Sequence, residues 1–383
     1  MSVTSALGFS AAGTACGIKP GGVPDLAIVV ADAPANAAGV FTTSSTAAPP
    51  VHVSRRHLVS GSARAVVVNS GCANAGTGGP GHTAAIATAQ AVAAAYGCDS
   101  SEVLVCSTGT IGPQLPVERI VQALPLELAS DPQAGADAAT AIMTTDSVRK
   151  EAARSTGGFT TGGMAKGAGM IRPDMATMLA VITTDAVITS PSLQRSLESA
   201  VGVSFNALNI DGCRSTNDTV LIMASGASGV EPGSGAFTGA LAEVCSDLAH
   251  QIAADAEGAT RVVTLRVTGA EDDDQARELG KFIADSDLVR ASFYGGDPNW
   301  GRIFAALGAA PLRVDPDSIS IGFDGVVVAE RGSGAVFDEQ ALAERLAEGG
   351  FVVDVEVGPG SGRATVLTTD LTPEYVRFNG ERS

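Results

Sequence analysis

The stretch GGMAKGAGMIRPDMATMLAVITTDAVI spans Gly162–Ile188. It places a single lysine, Lys166, in a glycine-rich run and then passes through Met175-Ala176-Thr177 into an apolar segment. From Thr177 the side chains alternate. Thr177, Leu179, Val181 and Thr183 fall on one face, and Met178, Ala180, Ile182 and Thr184 on the other. Both faces are mostly apolar, which predicts a strand buried between layers. A glycine loop containing Pro173 delivers the chain to it.

Thr177 opens that strand. A threonine hydroxyl needs an adjacent base to act as a nucleophile, and few bases lie nearby in sequence. An N-terminal threonine supplies its own, because its α-amine titrates at about 7.7–8.0. Attack of the Thr177 oxygen on the Ala176 carbonyl would give an ester that water opens, freeing that amine. Glycine tolerates the unusual backbone such a site needs. On spacing alone the plainer alternative stands: a buried strand after a flexible loop, with Thr177 as an ordinary β-former.

Outward from this stretch, short β-rich runs bounded by glycine predict strands at 25–32, 37–43, 63–70 and 102–109. Helices are expected at 82–97, closed by Gly97, and at 116–129, interrupted by Pro125. Ser190 is expected to cap a helix with Pro191 at its first position and Leu193, Leu197 and Val201 on its apolar face. Leu241, Val244, Leu248 and Ile252 mark another helix. The segment 260–270 reads as a strand and 273–291 as one amphipathic helix. The tail adds strands SISIGF, GVVVAE, FVVDVEVG and ATVLTTD and the helix DEQALAERLAEGG. This alternation predicts an α/β or α+β fold with layered sheets, and 383 residues make two lobes the default expectation, with one large sandwich as the alternative.

A formal charge of −17 repels a phosphate backbone, so nucleic acid is not an expected partner. No apolar run reaches the length of a membrane span, and the N-terminus lacks the pattern of a signal peptide. The six cysteines are scattered, without a C-x-x-C pair, which fits a reduced cytoplasmic protein. The four histidines form no H-E-x-x-H, no Cys/His spacing suggests zinc, and no metal is expected. GTGGPG, Gly76–Gly81, matches a dinucleotide fingerprint, but GCANA separates it from the preceding strand. It reads as a mobile glycine loop near a site.

The blocks GGMAKGAGMIRPDMATML, AAGVFTT, VVVNSGCANAGTG, CSTGTIG, AIMTTD, DGCRSTNDT, DAEGATR and GGDPNWGRI occur in order along the chain. Together they resemble the bifunctional ornithine acetyltransferase / glutamate N-acetyltransferase family of arginine biosynthesis. The resemblance implies a layered α/β/β/α sandwich. It implies self-cleavage at Ala176–Thr177 into an α chain, 1–176, and a β chain, 177–383, that remain together as an α2β2 heterotetramer. It implies ping-pong transfer of acetyl from N-acetylornithine to Thr177 and then to glutamate, without a bound cofactor, with acetyl-CoA as a candidate co-substrate. By the same resemblance Thr108 and Gly109 form an oxyanion hole. Thr144, Lys166, Thr177, Glu257, Asn379 and Ser383 contact substrate. The tail NGERS lacks the tyrosine that usually precedes the last of these. Lys166 suits a carboxylate and Glu257 an ammonium. Asn217 and Asp218 are read as shaping a loop through Asx turns, outside the site. Alternatives are an N-terminal-nucleophile amidohydrolase or aminopeptidase, which would pass the acyl group to water, and a binding protein with an uncut chain.

Overall fold

The computed structural model describes residues 2–172 and 178–381. The chain divides into two compact units, as the two-lobe expectation required. One comprises Met1–Ala168, Asp174–Asn206 and Arg214–Ile252; the other comprises Gly169–Pro173, Ala207–Cys213 and Ala253–Ser383. This division follows packing and does not test the expected division at Ala176–Thr177.

The strands of the first two-thirds are β1 (Phe9–Thr14), β2 (Leu26–Phe41), β3 (Ser62–Asn69), β4 (Val103–Ser107), β5 (Lys150–Thr156), β6 (Phe159–Lys166), β7 (Leu179–Thr184), β8 (Leu208–Asn209) and β9 (Thr219–Ala224). All but β8 form the first unit's sheet, in the order β4-β3-β2-β9-β7-β6-β5, with β1 also on β2. β3–β4 and β7–β9 are parallel. The strands expected at 25–32 and 37–43 are one continuous β2. Its register with β3 shifts between Val30 and Ala35, where Asp32, Ala33 and Pro34 are exposed. A bulge accommodates the proline, which has no N–H to donate.

Alternation along β2 explains how a chain poor in aromatics fills two interiors. Ala27, Val29 and Ala31 pack in one cluster with Ala138, Ala139 and Ile142. Leu26, Ile28 and Val30 pack in another with Ala85, Ala89 and Val92. The helices that supply these partners are among α1 (Pro49–His57), α2 (Gly78–Tyr96), α3 (Val117–Ala123) and α4 (Pro132–Ala141). α2 ends at Gly97 as expected but begins earlier, so Gly78–Gly81 form its first turn rather than a mobile loop. α5 (Ser190–Val203) has Thr189 at its N-cap. Ser190 is instead the first helical residue, and its hydroxyl donates to the carbonyl of Gly61. α6 (Ser234–Ala254) buries Leu241, Val244, Leu248 and Ile252.

The second unit's sheet runs β13-β12-β11-β14-β10-β15-β8. Its further strands are β10 (Val262–Ala270), β11 (Ser320–Phe323), β12 (Val326–Glu330), β13 (Ser333–Gly334), β14 (Phe351–Glu356) and β15 (Gly362–Thr369). Its helices are α7 (Asp273–Ala284), α8 (Asp287–Gly295), α9 (Trp300–Ala309), α10 (Glu339–Ala347) and α11 (Pro373–Glu381). Val263, Leu265 and Val267 of β10 pack with Leu279 and Ile283 of α7 and with Phe293 and Ile303. The single helix expected over 273–291 is two. Ser286 caps α8 by accepting from the Val289 N–H, and a capping serine with flanking aspartates favours a new helix start over continuation.

Candidate active site

β3 and β4 are parallel neighbours that end side by side, Asn69 opposite Ser107. Two buried amides then fix the loops that follow. Asn69 accepts from the Ser107 hydroxyl at 2.6 Å and donates to the Cys72 carbonyl at 2.8 Å. Asn217 donates to the carbonyls of Ala73 at 2.7 Å and Ser107 at 2.9 Å. Asn217 is therefore a scaffold of this site rather than a plain loop former. The Thr108 N–H donates to the Asn69 carbonyl at 2.9 Å. Gly109 follows with φ +125, and a Cβ there would fall on the backbone of Gly71 and Cys72. Only glycine fits this turn.

Lys166 lies at the end of β6, not in a loop: the glycine run's first half is strand. It is buried, and its Nζ donates to Thr108 Oγ1 at 3.3 Å. The Asp146 carboxylate gathers its surroundings. It accepts from Lys150 Nζ at 2.7 Å, from the Gly167 N–H at 2.7 Å and from the Thr144 N–H at 2.9 Å. Burial pushes this carboxyl up. Lys166, Lys150 and the Gly167 N–H outweigh burial and hold it down at about 2. Lys19 donates from Nζ to the carbonyls of Met143 at 2.6 Å and Pro24 at 3.0 Å. Burial lowers the pKa of that amine, opposed by Asp25 and Asp146. Thus Thr108, Thr144 and Lys166, three of the expected site residues, share one polar network, while Gly109 follows Thr108 on an exposed turn. Asp146 and Lys150 complete it. Sequence reasoning passed them over, although Asp146 stands inside the quoted block AIMTTD.

Ala176, Thr177 and Ser383 lie outside the described residues. The next residue, Met178, is buried, and its N–H donates to Asp218 Oδ1 at 2.9 Å. Burial pushes the Asp218 carboxyl well above the usual carboxylate range. The signal for this residue in the sequence was a polar pair, Asn217-Asp218, set just before β9, which is apolar after Thr219.

In the second unit, Glu257 follows α6 as expected. Its Oε2 accepts from Asn379 Nδ2 at 3.2 Å, so α11 brings these two expected residues together. A Cβ on Gly169 would stand 2.6 Å from Glu257 Oε2, so the backbone here lies directly against the carboxylate. Asp211 accepts from the N–H groups of Met170 at 2.6 Å, Ile171 at 2.9 Å and Cys213 at 3.1 Å, and from the Tyr375 hydroxyl at 3.3 Å. Burial raises its pKa against these donors. Met170 holds φ +57, an uncommon backbone for a side chain of its size. Arg172 pairs with Asp285 at 3.0 Å, which also accepts from Asn209 at 2.8 Å. The residues before Pro173 are therefore held by two carboxylates.

Among the described residues no group of three or more His, Cys, Asp or Glu could hold a metal, and no helix is long and apolar enough to cross a membrane. A model of the ArgJ family matches residues 10–383. A Thermobifida fusca protein named arginine biosynthesis bifunctional protein ArgJ is 48% identical over 387 residues, which cover 100% of each chain. Its namesake in Mycolicibacterium paratuberculosis is 46% identical over 391 residues, covering 100% of this chain and 96% of that one. The crystal structure of arginine biosynthesis bifunctional protein argJ from Bacillus halodurans is similar at a TM-score of 0.51 and 38% identity, over 52% of this chain and 97% of that one. With a family match across almost its entire length and a relative nearly half identical from end to end, the chain belongs to the ArgJ family.

Proposed function

We propose that this chain is a self-cleaving acetyltransferase of arginine biosynthesis. It moves the acetyl group of N-acetylornithine to glutamate through an acetyl ester on Thr177. Within the structure, the contact between Lys166 and Thr108 carries this reading. An ammonium only donates, so Thr108 Oγ1 accepts at 3.3 Å and its own hydrogen is left for another acceptor. Beside it Gly109 completes a rigid turn. Fixed donors of this kind stabilise a tetrahedral oxyanion, each by about 3 kcal/mol.

The chemistry then proceeds in two balanced halves. The Thr177 oxygen attacks the acetyl carbonyl while its α-amine takes the hydroxyl proton, and ornithine leaves with that proton. The amine of glutamate attacks the ester, and the proton it loses returns to the threonine oxygen. Lys166 receives a substrate carboxylate, Glu257 with Asn379 receives an ammonium, and Thr144 contacts substrate. The division into α chain 1–176 and β chain 177–383 supplies the amine. One comparison supports it: the Bacillus halodurans chain is matched over 97% of itself by 52% of this one, so that polypeptide is roughly half as long. We place the two fragments in an α2β2 heterotetramer in the cytoplasm, where free thiols such as Cys72, Cys106 and Cys245 persist. No resident cofactor is required, and acetyl-CoA serves as a second acetyl donor, in keeping with the word bifunctional in the relatives' name.

A denaturing gel with N-terminal sequencing tests the core of this reading. Two fragments of similar size are expected, one beginning at Thr177, with glutamate-dependent release of ornithine. Thr177→Ala should give one inactive band. Release of acetate at the same rate without glutamate would instead identify a hydrolase. Formation of N-acetylglutamate from acetyl-CoA alone tests the second donor.

A further inference from the structure

β5 is the edge strand of the first unit's sheet, and side chains of α6 reach it at two points. On α6, Glu243, Asp247 and Gln251 recur every fourth residue and so form one stripe. Gln251 closes one end of the gap between stripe and strand. Its Oε1 accepts from the Glu151 N–H at 3.1 Å, and its Nε2 donates to the Glu151 carbonyl at 3.0 Å, as a further strand would. Glu243 closes the other end by accepting from Arg154 Nε at 2.8 Å. Asp247 stands between the two on the helix, and Ala153 stands between their partners on the strand. Because Glu151 turns its N–H and C=O away from β6, alternation turns those of Ala153 the same way. Asp247 accepts from Gln251 at 3.0 Å and pairs with no cation among the described residues. Arg149 and Arg154 each use Nε on a glutamate, which leaves their terminal N–H groups for an anion.

Ala153, Asp247, Arg149 and Arg154 line one cavity of about 770 Å³. We propose that this cavity is a second binding site, and that its ligand is a free α-amino acid. The α-ammonium donates to the Ala153 carbonyl and to the Asp247 carboxylate. The α-carboxylate accepts from the Ala153 N–H and from an arginine. A residue of a paired antiparallel strand exchanges the same two backbone bonds with the residue opposite. Here the match is one residue long. Gln251 already occupies the next outward position, Glu151, and the Arg154–Glu243 pair stands at the other end. A longer peptide therefore cannot extend along the edge, whereas a single amino acid fits with its charges at both ends answered. The lining also includes Met143 and Ser147, on either side of the segment that carries Thr144 and Asp146, but none of the residues assigned above to acetyl transfer.

Equilibrium dialysis of the purified protein against labelled L-ornithine counts the sites. The contrasting probe is N-acetyl-L-ornithine, whose acylated α-nitrogen brings no charge to Asp247. Asp247→Asn keeps an oxygen for Gln251 at an exposed helix position, so it should melt within about 2 °C of wild type. Wild-type protein should take up one more L-ornithine per chain than Asp247→Asn does. At that extra site the variant should bind about tenfold more weakly or worse, the loss of one charge-assisted hydrogen bond. N-acetyl-L-ornithine should bind both proteins alike. Ala153→Pro supplies a second variant. It deletes the outward N–H of an edge strand, where proline is tolerated, and should lose the same site. Only the difference between wild type and variant is read, so the result stands whatever the transfer site accepts. A wild-type count no higher than that of Asp247→Asn would overturn the proposal. So would survival of the extra site in Ala153→Pro, or its equal occupation by N-acetyl-L-ornithine.

Discussion

Lys150 and Asp146 form an ion pair at 2.7 Å with both side chains 0% exposed. Replacing Lys150 by Met leaves the carboxylate buried with fewer partners. Breaking one side of such a pair costs about 3–5 kcal/mol. The carboxyl's depression from 3.8 to about 2, net of burial and owed first to Lys166 and then to Lys150 and the Gly167 N–H, gives the scale of all these partners together. That gap corresponds to about 2 kcal/mol of stability. Because the folded pKa is the lower one, this stability is fully present above about pH 4. It fades as pH falls from there toward 2. At neutral pH, Lys150→Met should therefore lower the melting temperature by roughly 10 °C, taking about 2–4 °C per kcal/mol for a unit of this size. Removing both charges in Asp146→Asn/Lys150→Met should recover part of that loss, since the carboxylate is no longer stranded although buried Lys166 loses its neighbouring anion. Calorimetry at pH 7 and at pH 3 checks both statements. The acid-dependent part of the wild-type melting shift should shrink in the double variant. A single variant that melts within about 2 °C of wild type, or a double variant no better than the single one, would refute the reasoning.

Thr108→Val removes the oxygen that accepts from Lys166 together with the hydroxyl hydrogen. It should lower kcat for acetyl transfer about a hundredfold, the loss that its proposed role as one oxyanion donor carries, as read in single-turnover assays. Gly109→Ala forces a Cβ onto the Gly71–Cys72 backbone at a positive φ. It should abolish transfer, and a variant with wild-type kcat would show that the turn is not part of the site. Asn379→Ala deletes the 3.2 Å donor to Glu257 on an exposed helix face. It should raise KM for the amino-acid substrate about tenfold, near 1.4 kcal/mol, while the melting temperature moves by less than about 2 °C.

Much of this architecture could be read without coordinates. β3, β4, β7, β10 and β14 are dense in Val, Ile and Leu between glycine or polar breaks, and α5, α6 and α10 repeat their apolar residues at helical spacing. Those signals are local, because a strand or an amphipathic helix declares its buried face in its own period. The order of short blocks that resemble the family was likewise linear information, and it led to Thr108, Gly109, Thr144, Lys166, Glu257 and Asn379. Other elements carry no such mark. α1 and α4 are short and begin with proline, α4 leans on alanine, and β6 hides two glycines that read as loop. Burial of Lys166 depended on that misread strand.

Tertiary structure alone decided which polar groups meet. Asn217 bonds to Ala73 across 144 residues and to Ser107 across 110, and Asp218 holds Met178 across 40. Glu257 meets Asn379 across 122. A buried amide or carboxyl is stable only where its partners converge. That convergence is created by the pairing of distant strands and loops, which no local period of the sequence records.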